Sequence, residues 1–177
     1  MTATDNVYAD LLVSFGASLE QTSKDKSGSM FITDHKTKVV DFDKFKDDVC
    51  NTIKPTEQPC SCDALYMSPT TNELFLIEFK NGKIDSGVKK QLRFKILDSL
   101  LMLLEKLDKI IEFTRDHLSF ILVYGETSNK EQVRISSFRL GKMEINFGID
   151  RFERIYFKKV FAYSNAEFDE EFSKLYA

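Results

Sequence analysis

The sequence predicts an α/β fold, with a mixed sheet flanked by helices. Two short runs, Leu74–Phe79 and Leu118–Val123, are apolar at nearly every position, as strands covered on both faces must be. Between them lies a long segment with leucines and isoleucines at helical spacing. The order of helix, strands, long helix and strand argues for a mixed sheet flanked by helices.

Taken in order, residues 7–20 read as a first helix, because Val7, Leu11, Leu12, Phe15 and Leu19 recur at helical spacing. The polar stretch 21–29 reads as a loop. Met30-Phe31-Ile32 and Val39-Val40-Asp41-Phe42 read as short strands around a turn near His35 and Lys36. Residues 43–53 suit a helix, which Pro55 stops. Cys62 to Met67 and Glu73 to Lys80 form a hairpin by their punctuation, with Ser68 to Asn72 as the turn and Asn81-Gly82 as the close. Residues 88–112 form the long helix, burying Leu92, Ile96, Leu100, Leu103, Leu104, Leu107 and Ile111. A buried strand follows over 117–125, then a strand over 155–163 and a terminal helix over 166–176. Residues 126–147 carry no clear period.

Length and composition suit a single domain over residues 1–177: the hydrophobic fraction is 42% and sixteen Phe supply a large core inventory. The net charge of −3 argues against coating nucleic acid by bulk electrostatics, though not against a local basic groove. The opening residues lack the basic start and apolar run of a signal peptide. No stretch reaches the roughly 18–20 apolar residues that span a bilayer. A cytoplasmic protein with no membrane partner is the expectation, and in that reducing setting Cys50, Cys60 and Cys62 are expected free and buried. Cys60-Ser61-Cys62 lacks the second ligand pair that a structural zinc site needs. No GxxxxGK phosphate loop is present, and neither His35 nor His117 sits beside a nucleophile motif.

Chemistry concentrates in the hairpin. Glu78 and Lys80 are two apart on an otherwise apolar strand, so they share a face at its far end. Placing charges beside a buried strand costs several kcal/mol unless they are paired or bind something. With the turn centred near residues 70–71, an antiparallel register sets Asp63 opposite Glu78. Facing carboxylates repel unless a cation lies between them. Lys80 beside that cation would orient water or steady charge on a phosphorane, which is equipment for phosphodiester hydrolysis with Mg²⁺ or Mn²⁺.

Asp63, a hairpin, then Glu78-Phe79-Lys80 resembles the PD-(D/E)xK nuclease superfamily over residues 60–125. The resemblance implies a restriction-endonuclease-like αβββαβ core, a metal held by Asp63, Glu78 and the Phe79 carbonyl, and a catalytic Lys80. Gln91, in the following helix, is similar to the Gln of the RecB-like and lambda-exonuclease-like branches, although Lys95 stands where an aromatic would follow it. Cys62 replaces the family's Pro. For an acidic ligand from the first helix, Glu20 is the preferred candidate and Asp10 the weaker one.

Six basic residues, Lys80, Lys83, Lys89, Lys90, Arg93 and Lys95, face only Asp85 over residues 80–95. Lys89 and Arg93 share a helix face and, with Gln91, are candidates to hold a nucleic-acid backbone. The interleaved aromatics and cations of Arg151 to Tyr163 read as core with an exposed basic edge. The expected function is therefore a nuclease acting on DNA in preference to RNA. The alternative is an inactive nuclease-fold module that binds nucleic acid or a protein partner, and a homodimer is compatible with either. A third reading, in which the charges are merely structural, requires Glu78 and Lys80 to point to solvent away from Asp63.

Overall fold

A computed structural model describes residues 3–24, 30–131, 133 and 147–174. Among these, six strands form one mixed sheet in the order β1-β2-β3-β4-β5-β6. The strands are β1 (Gly16–Ser18), β2 (Lys38–Asp41), β3 (Ala64–Met67), β4 (Leu74–Lys80), β5 (Leu118–Tyr124) and β6 (Val160–Ser164). β1 to β4 pair antiparallel, whereas β4, β5 and β6 run parallel. The helices are α1 (Ala3–Phe15), α2 (Leu19–Thr22), α3 (Phe42–Ile53), α4 (Ser86–Leu107), α5 (Ile111–His117) and α6 (Asn165–Lys174). A mixed α/β architecture with flanking helices is thus observed. No helix among the described residues is long and apolar enough to cross a membrane.

β4 and β5 are both interior strands of the sheet, and every residue of β5 is buried. Alternation sends Leu65, Leu74, Leu76, Phe120 and Leu122 into one core with Leu92, Ile96, Leu100 and Leu103 of α4. The opposite faces of the same strands, with Tyr66, Phe75, Ile77, Ile121 and Val123, meet Phe168 and Phe172 of α6. The parity of β4 therefore decides that Glu78 lies on the α4 side and Phe79 on the α6 side.

Local chemistry sets the ends of the elements. Asp41 caps α3 by accepting the Lys44 N–H at 3.1 Å, and that helix ends at Lys54 in the left-handed region just before Pro55. Asp85 caps α4 by accepting the Val88 N–H at 2.9 Å. The hairpin closes through Ser68 and Asn72, the latter at φ 56°.

Several boundaries differ from those expected. The first helix stops at Phe15, not at residue 20: Gly16 opens β1, and Ser18 and Gln21 form a capping box that starts the one-turn α2. A side chain at position 16 would meet the Leu12 carbonyl oxygen at 2.4 Å, so this close turn requires glycine. Residues 30–32 form no strand, only an isolated bridge between Phe31 and Lys24, because β1 already occupies the free edge of β2. The long helix begins two residues earlier than expected and breaks at Asp108, which takes a left-handed conformation. Ile111 accordingly belongs to a separate helix, α5, and His117 ends that helix instead of starting a strand. The last strand begins at Val160, since residues 150–157 are spent on a 3-10 turn and a local bridge. Residues 126–131 are helical. Most of the unassigned stretch to 147, the loop at 25–29 and the final residues 175–177 lie outside the described residues.

Candidate metal and phosphate site

The β3–β4 register pairs Ala64 with Ile77, which carries Asp63 to the position opposite Glu78. The Asp63 N–H donates to the Ile77 carbonyl at 3.0 Å, extending the ladder by one residue. Glu78 is fully buried on the face covered by α4. The Lys80 ammonium reaches back along its own strand to Glu78 Oε1 at 2.5 Å. The expected trio is therefore brought together, and Glu78 points into the protein toward Asp63.

A fourth charge joins them. Lys95 of α4 donates from Nζ to Glu78 Oε1 at 2.7 Å, to Glu78 Oε2 at 3.0 Å and to Asp63 Oδ1 at 3.2 Å. An ammonium has three hydrogens, so three carboxylate oxygens satisfy it completely. The remaining oxygen, Asp63 Oδ2, accepts the Phe79 N–H at 2.6 Å. Two carboxylates and two lysines thus form a cluster beside an apolar sheet in which every carboxylate oxygen has a partner. A buried charge network of this kind is tolerated only when every member is satisfied.

Burial and the neighbouring Glu78 raise the Asp63 carboxyl to about 7, against the opposing pull of Lys95 and the Phe79 N–H. For Lys95, burial disfavours the ammonium, but Asp63 and Glu78 outweigh it and hold the lysine charged. Burial likewise pushes the Cys62 thiol well up, which makes it an inert core group.

α4 also holds the approach to Asp63. Asp98 accepts the Cys60 N–H at 2.9 Å, and fully buried Ser99 accepts the Cys62 N–H at 2.7 Å. These bonds pin the chain immediately before β3. Ser99→Ala would leave the Cys62 N–H without this acceptor, a loss of about 1–3 kcal/mol in chemical denaturation. An unchanged midpoint in that variant would remove Ser99 from the support of Asp63. All three cysteines are free, but only Cys50 and Cys62 are buried; Cys60 is exposed, since its backbone and not its side chain is the anchored part.

The cluster opens into a cleft of about 530 Å³ lined by Lys24, Asp43, Asp63, Lys80, Asn81 and Lys95 among others. Phe79 also lines it. The proposed substrate-holding residues of α4 are placed elsewhere. Gln91 and Arg93 are exposed, Lys89 lies 5.9 Å from the Phe147 ring, and none of the three lines the cleft. Glu20 is ion-paired with Lys36 and does not line the cleft, and Asp10 is exposed on α1. The acidic residue that does reach the cleft is Asp43 of α3, whose Oδ1 accepts the Ser61 hydroxyl. Among the described residues no group of three or more His, Cys, Asp or Glu side chains is close enough to hold a metal ion. The side-chain donors for a cation at the cluster are those of Asp63 and Glu78. Of the aromatic-basic segment, Phe152 and Phe157 are core and Arg151, Lys158 and Lys159 exposed.

Lys95 and Asp43 were the functional neighbours missed in the sequence. Lys95 had a signal: it lies in the inward stripe of α4 between Leu92 and Ser99, where a lysine must have a partner. Comparison of the chain with protein-family models, with curated proteins and with solved structures gives no match. What the site does is therefore argued from its own geometry.

Proposed function

We propose that this chain is a metal-dependent phosphodiesterase that hydrolyses DNA in preference to RNA. The observation that carries the reading is the convergence of three oxygens from Asp63 and fully buried Glu78 on one cation-sized position, with Lys80 beside it at the base of a cleft. The element order supports it: α1, the antiparallel strands β2, β3 and β4, then α4 and the parallel β5 follow the αβββαβ order that the Asp63…Glu78-Phe79-Lys80 resemblance implies, with β1, α2, α3 and α5 inserted among them.

The donor set fits Mg²⁺ or Mn²⁺ in kind, since these hard cations take carboxylate and carbonyl oxygen and retain water. Asp63, Glu78 and the Phe79 carbonyl would hold the ion. Bound there, such a cation would supply Lewis-acid polarisation of a phosphoryl oxygen and a lowered pKa for its water. Lys80 contributes a fixed positive charge at the cleft base, where it can orient the attacking water and stabilise charge that develops on the phosphorane. Lys24, at the cleft wall, supplies further positive charge for the phosphodiester. Hydrolysis breaks one P–O bond, with water providing the hydroxyl to phosphorus and the proton to the leaving oxygen.

A specific observation favours a second reading, the inactive nuclease-fold module. Lys95 already neutralises the carboxylates that would hold the metal. Both readings are tested by incubating single- and double-stranded DNA and RNA with the protein in Mg²⁺, Mn²⁺ or EDTA. Cutting that requires metal, with DNA cleaved faster than RNA, is the expected result. Folded protein that cuts none of the four substrates in either metal would leave the binding module in its place.

A further inference from the structure

We infer that the Lys95 ammonium and a divalent cation are alternative occupants of the same position between Asp63 and Glu78. This deepens the metal-site reading above and rests on it.

Coordination comes first. Lys95 Nζ is 2.7–3.2 Å from three carboxylate oxygens, a tripod of acceptors pointing at one centre. Mg²⁺ binds oxygen at about 2.0–2.1 Å, so a metal at that centre would draw the two carboxylates inward and leave no volume for an ammonium. Charge gives the same answer. Two carboxylates, Asp63 and Glu78, already face two ammoniums, Lys80 and Lys95. Adding a divalent cation without releasing a lysine would bring four positive charges against two negative ones in a poorly solvated place.

Of the two lysines, Lys95 is the one that must leave. Lys80 pairs with Glu78 Oε1 alone, whereas Lys95 spans both carboxylates. Lys95 also has somewhere to go: it lines the 530 Å³ cleft, its side chain is 22% exposed, and its four-carbon stem can swing the ammonium toward solvent. Burial of Glu78 explains why a lysine is kept there. A fully buried carboxylate needs a cation at all times, and Lys95 supplies one whenever the metal is absent.

The test is Mn²⁺ binding by calorimetry to the wild-type chain, Lys95→Met and Glu78→Gln, with no nucleic acid present. Met keeps the length of the stem and removes the competing charge, so its Kd for Mn²⁺ is expected to fall about tenfold or more below the wild-type value. Glu78→Gln is expected to lose binding at this site. Equal Mn²⁺ affinity in wild type and Lys95→Met, both abolished by Glu78→Gln, would overturn the exchange and leave the metal site standing. No Mn²⁺ bound by any of the three would overturn the metal reading together with the exchange. Since the Met variant strands a buried carboxylate in metal-free buffer, a second measurement uses the wild-type chain alone. In lysine-labelled protein, the NMR resonances of the Lys95 Cε and Nζ groups are expected to move to solvent-exposed values as Mg²⁺ saturates. Resonances that stay fixed at saturation would refute the displacement.

Discussion

Glu78→Gln is expected to reduce Mn²⁺-dependent cleavage about a hundredfold or more, the loss that follows removal of a single electrostatic group from an active centre. Gln has the shape of Glu, and its carbonyl oxygen can still accept one hydrogen from Lys95. The change removes a negative charge and turns one of the two acceptors that face Lys95 into a donor. Two of the three oxygens that converge on the cation position belong to Glu78, so the position loses most of its field. Because the side chain is fully buried, water cannot make up the difference. The same substitution leaves Lys80 and Lys95 with Asp63 as their only carboxylate in the cluster, and breaking one partner of a buried pair costs about 3–5 kcal/mol in the severe case. Circular dichroism and a thermal melt must accompany the cleavage assay, so that lost activity is measured on folded protein. A folded Gln variant that cuts at the wild-type rate would end the role of Glu78 in catalysis.

How far the sequence revealed this site depends on how local each interaction is. Asp63, Glu78 and Lys80 were legible together because a hairpin has period two and a short turn. Once the turn is placed, the register of Ala64 on Ile77 and the shared face of residues 78 and 80 follow from chain geometry. Lys95 is fifteen residues farther along, on a helix whose rotation over the sheet is decided by how Leu92, Ile96 and Leu103 pack. Spacing puts Lys95 on the stripe of Leu92 and Ser99, but the density of cations over residues 80–95 reads as one basic helix face and masks that position. The same dependence on packing hid Asp43, which reaches the cleft only because α3 lies alongside β3. Glu20 illustrates the converse. It read as the last turn of a long first helix, but Gly16 ended that helix and turned the chain, and Glu20 was carried to Lys36. The central strands were clear from burial on both faces, whereas the boundaries that failed, at Gly16, Asp108 and Val160, lie where backbone geometry or edge competition outweighed hydrophobic period.

Asp63 is expected to make the metal-free protein less stable as pH rises from about 4 to about 7. Burial and the adjacent Glu78 hold its carboxyl at about 7 in the fold, above the 3.8 of an unperturbed side chain. Between those values the unfolded chain has released its proton while the folded chain retains it. Unfolding then releases a proton, so rising pH favours the unfolded state, by up to about 1.4 kcal/mol for each pH unit of the window. Below about 4 both states are protonated and the contribution is fully present; above about 7 both are ionised and it is gone. Other carboxylates tilt the curve in the opposite sense, so the quantity to measure is a difference. Urea denaturation of wild type and Asp63→Asn in EDTA, at half-unit steps from pH 4 to 8, isolates it. Asn cannot titrate, yet its carbonyl can still accept the Phe79 N–H that Asp63 Oδ2 receives at 2.6 Å. The Asn variant should therefore gain on wild type steadily across the window and level off above it. Parallel curves would mean that Lys95 and the Phe79 N–H hold Asp63 ionised at acid pH. The four-charge cluster would then be intact throughout, with no proton standing in for a cation.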